Sequence, residues 1–375
     1  MSSSTANGAV DSNGIKHHVA NGINGKEANG KTVSDQEVKQ GFVWRNIIFF
    51  IYLHLGAVYG LYTMMAWSML PVFVFQVFYN TLGGIGITAG AHRLWAHRSY
   101  KAKLPLRIIL AFFQTLAFQN HIYEWSRDHR VHHKFTETDA DPHNAKRGFF
   151  FSHVGWLLMR KHPDVFIKGK TVDMSDLERD SVVVWQRRIY PVAMPILRFV
   201  VPTVLPMYIW DIDFWPAWYQ ALSGWALSLN FTWLVNSAAH MWGFRPYDKT
   251  LNPAENKIVA ALAYGEGWHN YHHTFPYDYK AAELGNYSYN LTTAFIDFFA
   301  ALGWAYDLKT VPESVVKRRV ARTGDGSHPR FGSNTEGKDN HQHSENMPII
   351  WGWGDKDMKE CDMKDVTMIS EKKSE

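Results

Sequence analysis

Between residues 47 and 91 the chain carries no Lys, Arg, Asp or Glu. A bilayer crossing needs about 20 predominantly apolar residues. The run is too long for one crossing and suits two joined by a tight turn. It predicts a helical hairpin with spans at 46–67 and 71–92, turning near Pro71, close behind Trp67 and Ser68. A second apolar region, 189–240, is interrupted by DIDFWP at 211–216, which holds two acids and a proline. It predicts a second hairpin with spans at 189–210 and 217–240. Aromatic residues make up 15% of the chain, and 16 residues are Trp. Such rings gather where one end lies in lipid and the other in water.

Lys and Arg placement sets the orientation. Neither turn between paired spans contains one, whereas 93–188 is rich in both and 309–319 adds Lys309, Lys317, Arg318 and Arg319. Both large hydrophilic regions and both termini are therefore expected on the cytosolic side. Residues 104–123 resemble a further span, but an odd count would misplace the next basic block, so an amphipathic helix at the cytosolic interface is expected. Arg198 falls inside the third span and must snorkel outward or face the protein interior.

Residues 1–41 are rich in Ser, Asn, Gly and Lys with no secretory h-region, and read as a disordered cytosolic tail. Residues 321–375 read as a polar cytosolic tail, in which HQH at 341–343, like His17 and His18, is taken as solvated. The chain ends KKSE, the form of a dilysine endoplasmic-reticulum retrieval signal. The net charge of +4 identifies no partner and gives no reason to expect nucleic acid. A single cysteine, Cys361, excludes a disulfide framework and cysteine-held zinc or iron–sulfur sites. Any metal must be held by nitrogen or oxygen, and there are 19 histidines.

Those histidines cluster at the cytosolic ends of the hairpins. HRLWAH holds His92 and His97, HRVHH holds His129, His132 and His133, NSAAH holds Asn236 and His240, and GEGWHNYHH holds His269, His272 and His273. Helical positions i, i+3 and i+4 share a face, so each H-x-x-H-H triplet is expected to converge on one point. His92 and His97, five apart, share no α-helical face; the helix must end between them, or a pair of metals must reach both. A lone histidine is usually structural, but two tandem H-x-x-H-H repeats beside an H-x4-H are hard to reach by chance. Nine imidazoles exceed the four to six or so ligands of one metal, so two metals are the natural count. Imidazole suits zinc, copper, nickel and iron alike. An all-nitrogen pair of sites beside a long apolar compartment points to iron activating dioxygen, because zinc offers no redox chemistry.

GAHRLWAHRSYKA, EWSRDHRVHHKF, ADPHNAKRGFFFSHVGWLL, NSAAHMWG and GEGWHNYHHTFPYDY together resemble the membrane fatty acyl-CoA desaturases of the stearoyl-CoA type, the insect members in particular, over roughly residues 42–320. The resemblance implies an all-α integral membrane fold of four transmembrane helices under a cytosolic helical cap, formed by 93–188 and 241–320. The resemblance also implies a di-iron centre between them and a place in the endoplasmic-reticulum membrane. It implies that the nine histidines named above ligate two irons, with Asn236 acting through a water. The implied reaction removes two hydrogens from adjacent methylenes of a saturated acyl-CoA. It makes a cis or trans double bond of Δ9 or Δ11 type, for unsaturated-lipid or pheromone biosynthesis. Dioxygen is the oxidant, and electrons come from a separate cytochrome b5 and its NADH-dependent reductase.

The resemblance further implies that Asn120, Arg127, Asp128, Arg160 and Lys161 meet the CoA head group. Gln119, Trp125, Thr232 and Trp233 would shape the bend of the acyl chain, and Asn80 and Gly84 would lie at the end of its tunnel. Solvated charge and ordinary packing are the plainer readings of these positions. NPAE, residues 252–255, sits where a class-associated signature varies, and a polar insertion separates SHP (327–329) from WGWGD (351–355). The alternatives are a related di-iron acyl hydroxylase and, from a different class, a histidine-rich membrane metal-binding or transport protein. A transporter should place its ligands near the bilayer midplane instead.

Overall fold

Helix α1, Trp44–Ala66, is followed by α2, Leu70–Ala96. Pro71 stands in the first turn of α2, where its missing N–H costs nothing, so it starts the helix rather than forming the turn. Helices α3, Leu104–Ala117, and α4, Ile122–Lys134, come next. Then α5, Ser181–Trp210, and α6, Phe214–Asn236, flank the acidic break at 211–213. The computed structural model describes residues 40–66, 69–332 and 349–369. The expectations for residues 1–39, for positions 67 and 68, for HQH and for KKSE lie outside the described residues.

Among the described residues α1, α2 and α5 are long and apolar enough to cross a bilayer. Helix α6 has 23 residues but is diluted by Gln220, Ser223, Ser228, Asn230 and Thr232. The outer faces of the long helices expose Ile51, Leu55 and Val58, then Val74, Val77 and Phe78, then Val192, Val200 and Tyr208. An apolar band of this extent is solvated by lipid rather than water. Helix α3 is two-sided, with Leu106 and Leu110 buried and Ile108 and Phe112 exposed.

The inner faces explain why the polar α6 is held. Leu53 and Ala57 of α1 meet Leu222, Trp225 and Leu229 of α6. GAVYG places Gly56 and Gly60 one turn apart on the contact face, a small-xxx-small pattern that lets backbones approach. A Cβ at Gly60 would lie 2.1 Å from the Tyr219 carbonyl oxygen. Ser223 Oγ donates to the Ala57 carbonyl at 2.7 Å across the same contact.

Arg198 faces the protein interior, only 2% exposed. It sits in a π-helical turn of α5, Ile196–Val200, just after Pro191 and Pro195. Its guanidinium donates to Asn80 Oδ1 at 2.9 Å, to Leu116 O at 3.3 Å and to Ala221 O at 3.4 Å. It also lies near the Tyr79 and Trp225 rings. One cation thus ties α5 to α2, α3 and α6 through neutral acceptors and ring faces.

The remainder covers one end of the long helices. Its strands are short antiparallel pairs, Lys101–Ala102 on Ala305–Tyr306 and Leu308–Thr310 on Thr367–Ile369. Residues 349–369, set apart as tail by their composition, pack on the body. Trp351 and Met358 are buried, because a few aromatic and apolar side chains in a polar stretch suffice to anchor it.

Gly60→Ala must push α1 away from α6. We expect a loss of about 1–3 kcal/mol of stability from such overpacking, read as a lowered unfolding midpoint of the detergent-purified protein.

Candidate metal centre

Two imidazole groups, buried except for the half-buried His129 and His273, stand side by side at the end of α2. His92, His97, His129, His133 and His272 form one; His132, His240, His269 and His273 form the other. In the first, Nε2–Nε2 separations are 2.8 Å for His97–His129 and 3.0 Å for both His92–His272 and His272–His133. In the second they are 3.0 Å for His269–His240 and 3.2 Å for His273–His269. Ligands at right angles around an ion about 2.1 Å away stand about 3.0 Å apart. The ring nitrogens are therefore spaced as the donors of two metal cages, and the donor set fits.

The local backbone explains the sorting and corrects two expectations. The H-x-x-H-H triplets do not each converge on one point. His129 and His133 face the first group while His132 faces the second. His269 and His273 face the second while His272 faces the first. At about 100° per residue, i+4 lies about 40° beyond i and i+3 about 60° short of it. A helix set between two centres therefore offers its i and i+4 residues to one and its i+3 residue to the other. His92 and His97 do share a face, because Gly86–Ala96 is π-helical. The His97 N–H donates to the His92 carbonyl at 3.0 Å, so one wider turn brings residues five apart into register.

Charged side chains fasten these elements. Arg130, inside HRVHH and fully buried, donates to Ala96 O at 2.9 Å, to Trp95 O at 2.7 Å and to Asp176 at 2.7 Å, clamping α4 to the end of α2. Helix α7, His269–Thr274, is held by the residues between its histidines. Asn270 bonds the backbone of Tyr247, Asp248 and Pro253, and the Tyr271 N–H donates to Glu255 at 2.8 Å. Burial pushes the Glu255 carboxyl up to about 8.

A second layer orients the rings. Glu266 accepts from His92 Nδ1 at 2.8 Å and from Arg93 at 2.8 Å. Asp141 accepts from His132 Nδ1 at 2.9 Å. His97 Nδ1 bonds the Trp351 carbonyl. Glu137 lies 3.6 Å from His240 Nδ1 and is itself held by Asn252. Burial raises the Glu266 carboxyl, but Arg93 and His92 outweigh it and hold the group below its usual range. Partners on the far nitrogen fix the tautomer and leave Nε2 free to ligate. Sequence reasoning passed over Glu266, Asp141, Glu137, Arg93 and Trp351. The GEG and ADPH stretches and NPAE were visible there, but nothing in them says which histidine each faces. Burial first, then the neighbouring rings, hold His97, His129, His133, His269, His272 and His273 well below the ordinary histidine value. These rings are neutral, which is the ligating form.

An apolar cavity opens beside both groups. Asn236, Trp125, Thr232 and Gly84 line it, with the Trp125 ring stacked on His129. Gln119 donates to Thr232 Oγ1 at 3.1 Å at its edge. Trp233, one position and about 100° further round α6, packs instead with Phe50 and His153. Asn80 borders a second, deeper cavity and is held by Arg198. Arg127 and Lys161 both pair with Asp128, and Lys161 also reaches Glu124. Burial pushes the Asp128 carboxyl up, yet the two cations hold it below its usual value. Arg160 and Asn120 are exposed nearby in sequence, and the Arg160 N–H donates to Gly41 O at 2.9 Å.

Comparison with known proteins agrees with this geometry. The fatty acid desaturase family model matches residues 68–288. The chain is 60% identical over 338 residues to the acyl-CoA Delta-9 desaturase of Acheta domesticus, covering 90% of this chain and 88% of that one. It is 51% identical to the acyl-CoA Delta12-desaturase of the same organism, over 99% and 98% of the two chains. It is also 51% identical to the acyl-CoA Delta(11) desaturase of Trichoplusia ni, over 85% and 86%.

Two outcomes follow for the metal. Glu266→Gln removes the charge behind His92 and should weaken metal held by the five-histidine group about 10–100-fold, lowering the metal-to-protein ratio on dialysis against a weak chelator. Acidification should cost both metal and stability. Below the ordinary histidine pKa of about 6.5 the unfolded chain takes up protons that the folded rings refuse, so stability present above that pH is lost as pH falls. The loss is about 1.4 kcal/mol per pH unit for each such ring. Unfolding midpoints between about pH 7.5 and about pH 5.5 would read it.

Proposed function

The chain belongs to the fatty acid desaturase family and is a membrane acyl-CoA desaturase, and on that premise we propose that its two histidine groups hold a pair of iron ions. His92, His97, His129, His133 and His272 would hold one; His132, His240, His269 and His273 would hold the other, with Asn236 completing it through a water. Bound there, the irons supply dioxygen activation and the oxidising power to break unactivated C–H bonds. The observation that carries this reading is the convergence of nine imidazoles, seven of them buried, beside an apolar cavity.

The net change removes one hydrogen from each of two adjacent methylenes. With dioxygen, two electrons and two protons, it yields a carbon–carbon double bond and two waters. The chain's own residues place the substrate. Ile87, Phe231 and Val235 give the cavity apolar walls that take methylenes and exclude water. Trp125, stacked on His129, and the Gln119–Thr232 bond narrow it beside the metals and set the bend. The cluster of Arg127, Lys161 and Asp128, with Asn120 and Arg160, would receive the phosphates and polar groups of CoA, which Arg and Lys suit by charge and hydrogen bonding. Cytochrome b5, reduced by its NADH-dependent reductase, would deliver electrons one at a time to the basic face.

In this reading α1, α2, α5 and α6 are four membrane spans. Lipid covers the exposed faces of α1, α2 and α5, and α6 is shielded by packing on α1. The desaturase domain runs over 42–320 in the endoplasmic-reticulum membrane, with both termini and the helical cap in the cytosol.

Expression in desaturase-deficient yeast, with double bonds located by mass spectrometry of derivatised lipids, should give new monounsaturated acids and about two irons per purified chain, close to the one ion per four or five ligands that metals of this kind take. His269→Ala, His272→Ala and His273→Ala should each abolish the product while the protein still inserts in membrane. Hydroxylated acids alone, or no new lipid, would overturn the reading.

A further inference from the structure

The metal-side cavity and a deeper one are separate pockets with a shared wall. The deeper cavity, partly open at its outer side, lies further from the histidines along α2 and α6, beside Gln76, Val77, Asn80 and Leu227. Ser228, Phe231 and Tyr264 border both cavities, and Tyr264 alone of the three comes from outside α6. Its ring lies between them, at the level of Thr81 and Gly84.

Two features hold the ring there. Tyr264 has a left-handed backbone, φ +58°, which side-chain-bearing residues rarely adopt. Its carbonyl accepts from Thr292 N–H at 3.2 Å and from Thr292 Oγ1 at 2.9 Å, so the direction of its Cβ is set by the fold. The ring is seated on Gly84. A Cβ built at that position would stand 2.2 Å from Tyr264 Cε2 and 3.0 Å from Cζ. The hydroxyl lies 3.4 Å from Thr81 Oγ1, one turn earlier on α2. Glycine at 84 thus makes room for the aromatic ring rather than for open tunnel.

Resting on the desaturase reading, we infer that the Tyr264 ring, seated on Gly84, is the floor of the acyl cavity and limits how much of the chain beyond the reacting carbons it can hold. Gly84 lies eight residues before His92, about two turns along the helix. An acyl tail that runs past the metals meets the ring at that depth. The deeper cavity, at the next turns of α2, becomes usable only when the ring is removed or displaced. Gly84 and Tyr264 therefore act as one unit, because neither alone determines the free volume.

The experiment supplies the purified, iron-loaded protein, in air with cytochrome b5, its reductase and NADH, with a ladder of saturated acyl-CoAs from lauroyl to arachidoyl and reads the relative rate at each length. Tyr264→Leu should join the cavities and raise use of the longest chains over the shortest by about tenfold, the discrimination that one methylene commands in an apolar pocket. Gly84→Ala should drive the ring from its seat and change the length profile as well. Combining it with Tyr264→Leu should give the length profile of Tyr264→Leu alone, since no ring then meets the new methyl. Iron content is measured on every variant as a check on folding. A parental length profile in iron-loaded Tyr264→Leu overturns the inference. So does an unchanged profile in Gly84→Ala, which remains decisive if Tyr264→Leu does not accumulate. Absence of desaturation across the whole ladder by the parental protein would strike the desaturase reading itself.

Discussion

Nine imidazoles whose Nε2 atoms face one another in a water-poor interior are the constraint around which the chain is organised. Unoccupied, such lone pairs repel, and charging the rings is opposed by burial and by each neighbour. The arrangement is intelligible as a place for cations. Its rigidity comes from outside the rings: Glu266 behind His92, Asp141 behind His132, and the Trp351 carbonyl behind His97. Two of these supports carry charge, and Arg93 in turn balances Glu266.

Building two centres from few elements sets the helix geometry. Helices α4 and α7 each divide their three histidines two and one, in opposite senses, so both are shared between the groups. The π-helical end of α2 completes the first group by aligning His92 with His97. Arg130 then locks α4 to that same end. A displacement of α4 or α7 would disturb both centres, which accounts for the dense polar fastening in this layer.

The apolar layer beneath serves the same site. Exposed faces of α1, α2 and α5 are suited to lipid, whereas Ser223 and Asn230 of α6 face α1 and its Ser228 and Thr232 face the cavity. The buried Arg198, anchored on Asn80 and backbone carbonyls, holds α5 against α2, α3 and α6 at the level of the deeper cavity. NPAE also has a structural role. Its Asn252 holds Glu137 beside His240, and its Glu255 caps α7, so the quartet touches the supports of the histidine groups.

Much was legible in one dimension because the relevant interactions are local or compositional. The uncharged run at 47–91 dictates long apolar helices, since a backbone in lipid must satisfy its own hydrogen bonds. The H-x-x-H-H repeats announce a ligand set. The tertiary structure decided the rest. Whether His132 joins His129 or His240 depends on where a second helix stands, and no spacing rule contains that position. The alignment of His92 with His97 required a π-helical winding that an α-helical reading excludes. Trp351 lies more than 250 residues from the His97 it orients, and Tyr264 is far in sequence from the glycine that seats it. Residue types and periodicity determined that this chain gathers histidines at the ends of apolar helices. Only the packing of distant segments decided how they divide, what orients them and how deep the cavity beside them runs.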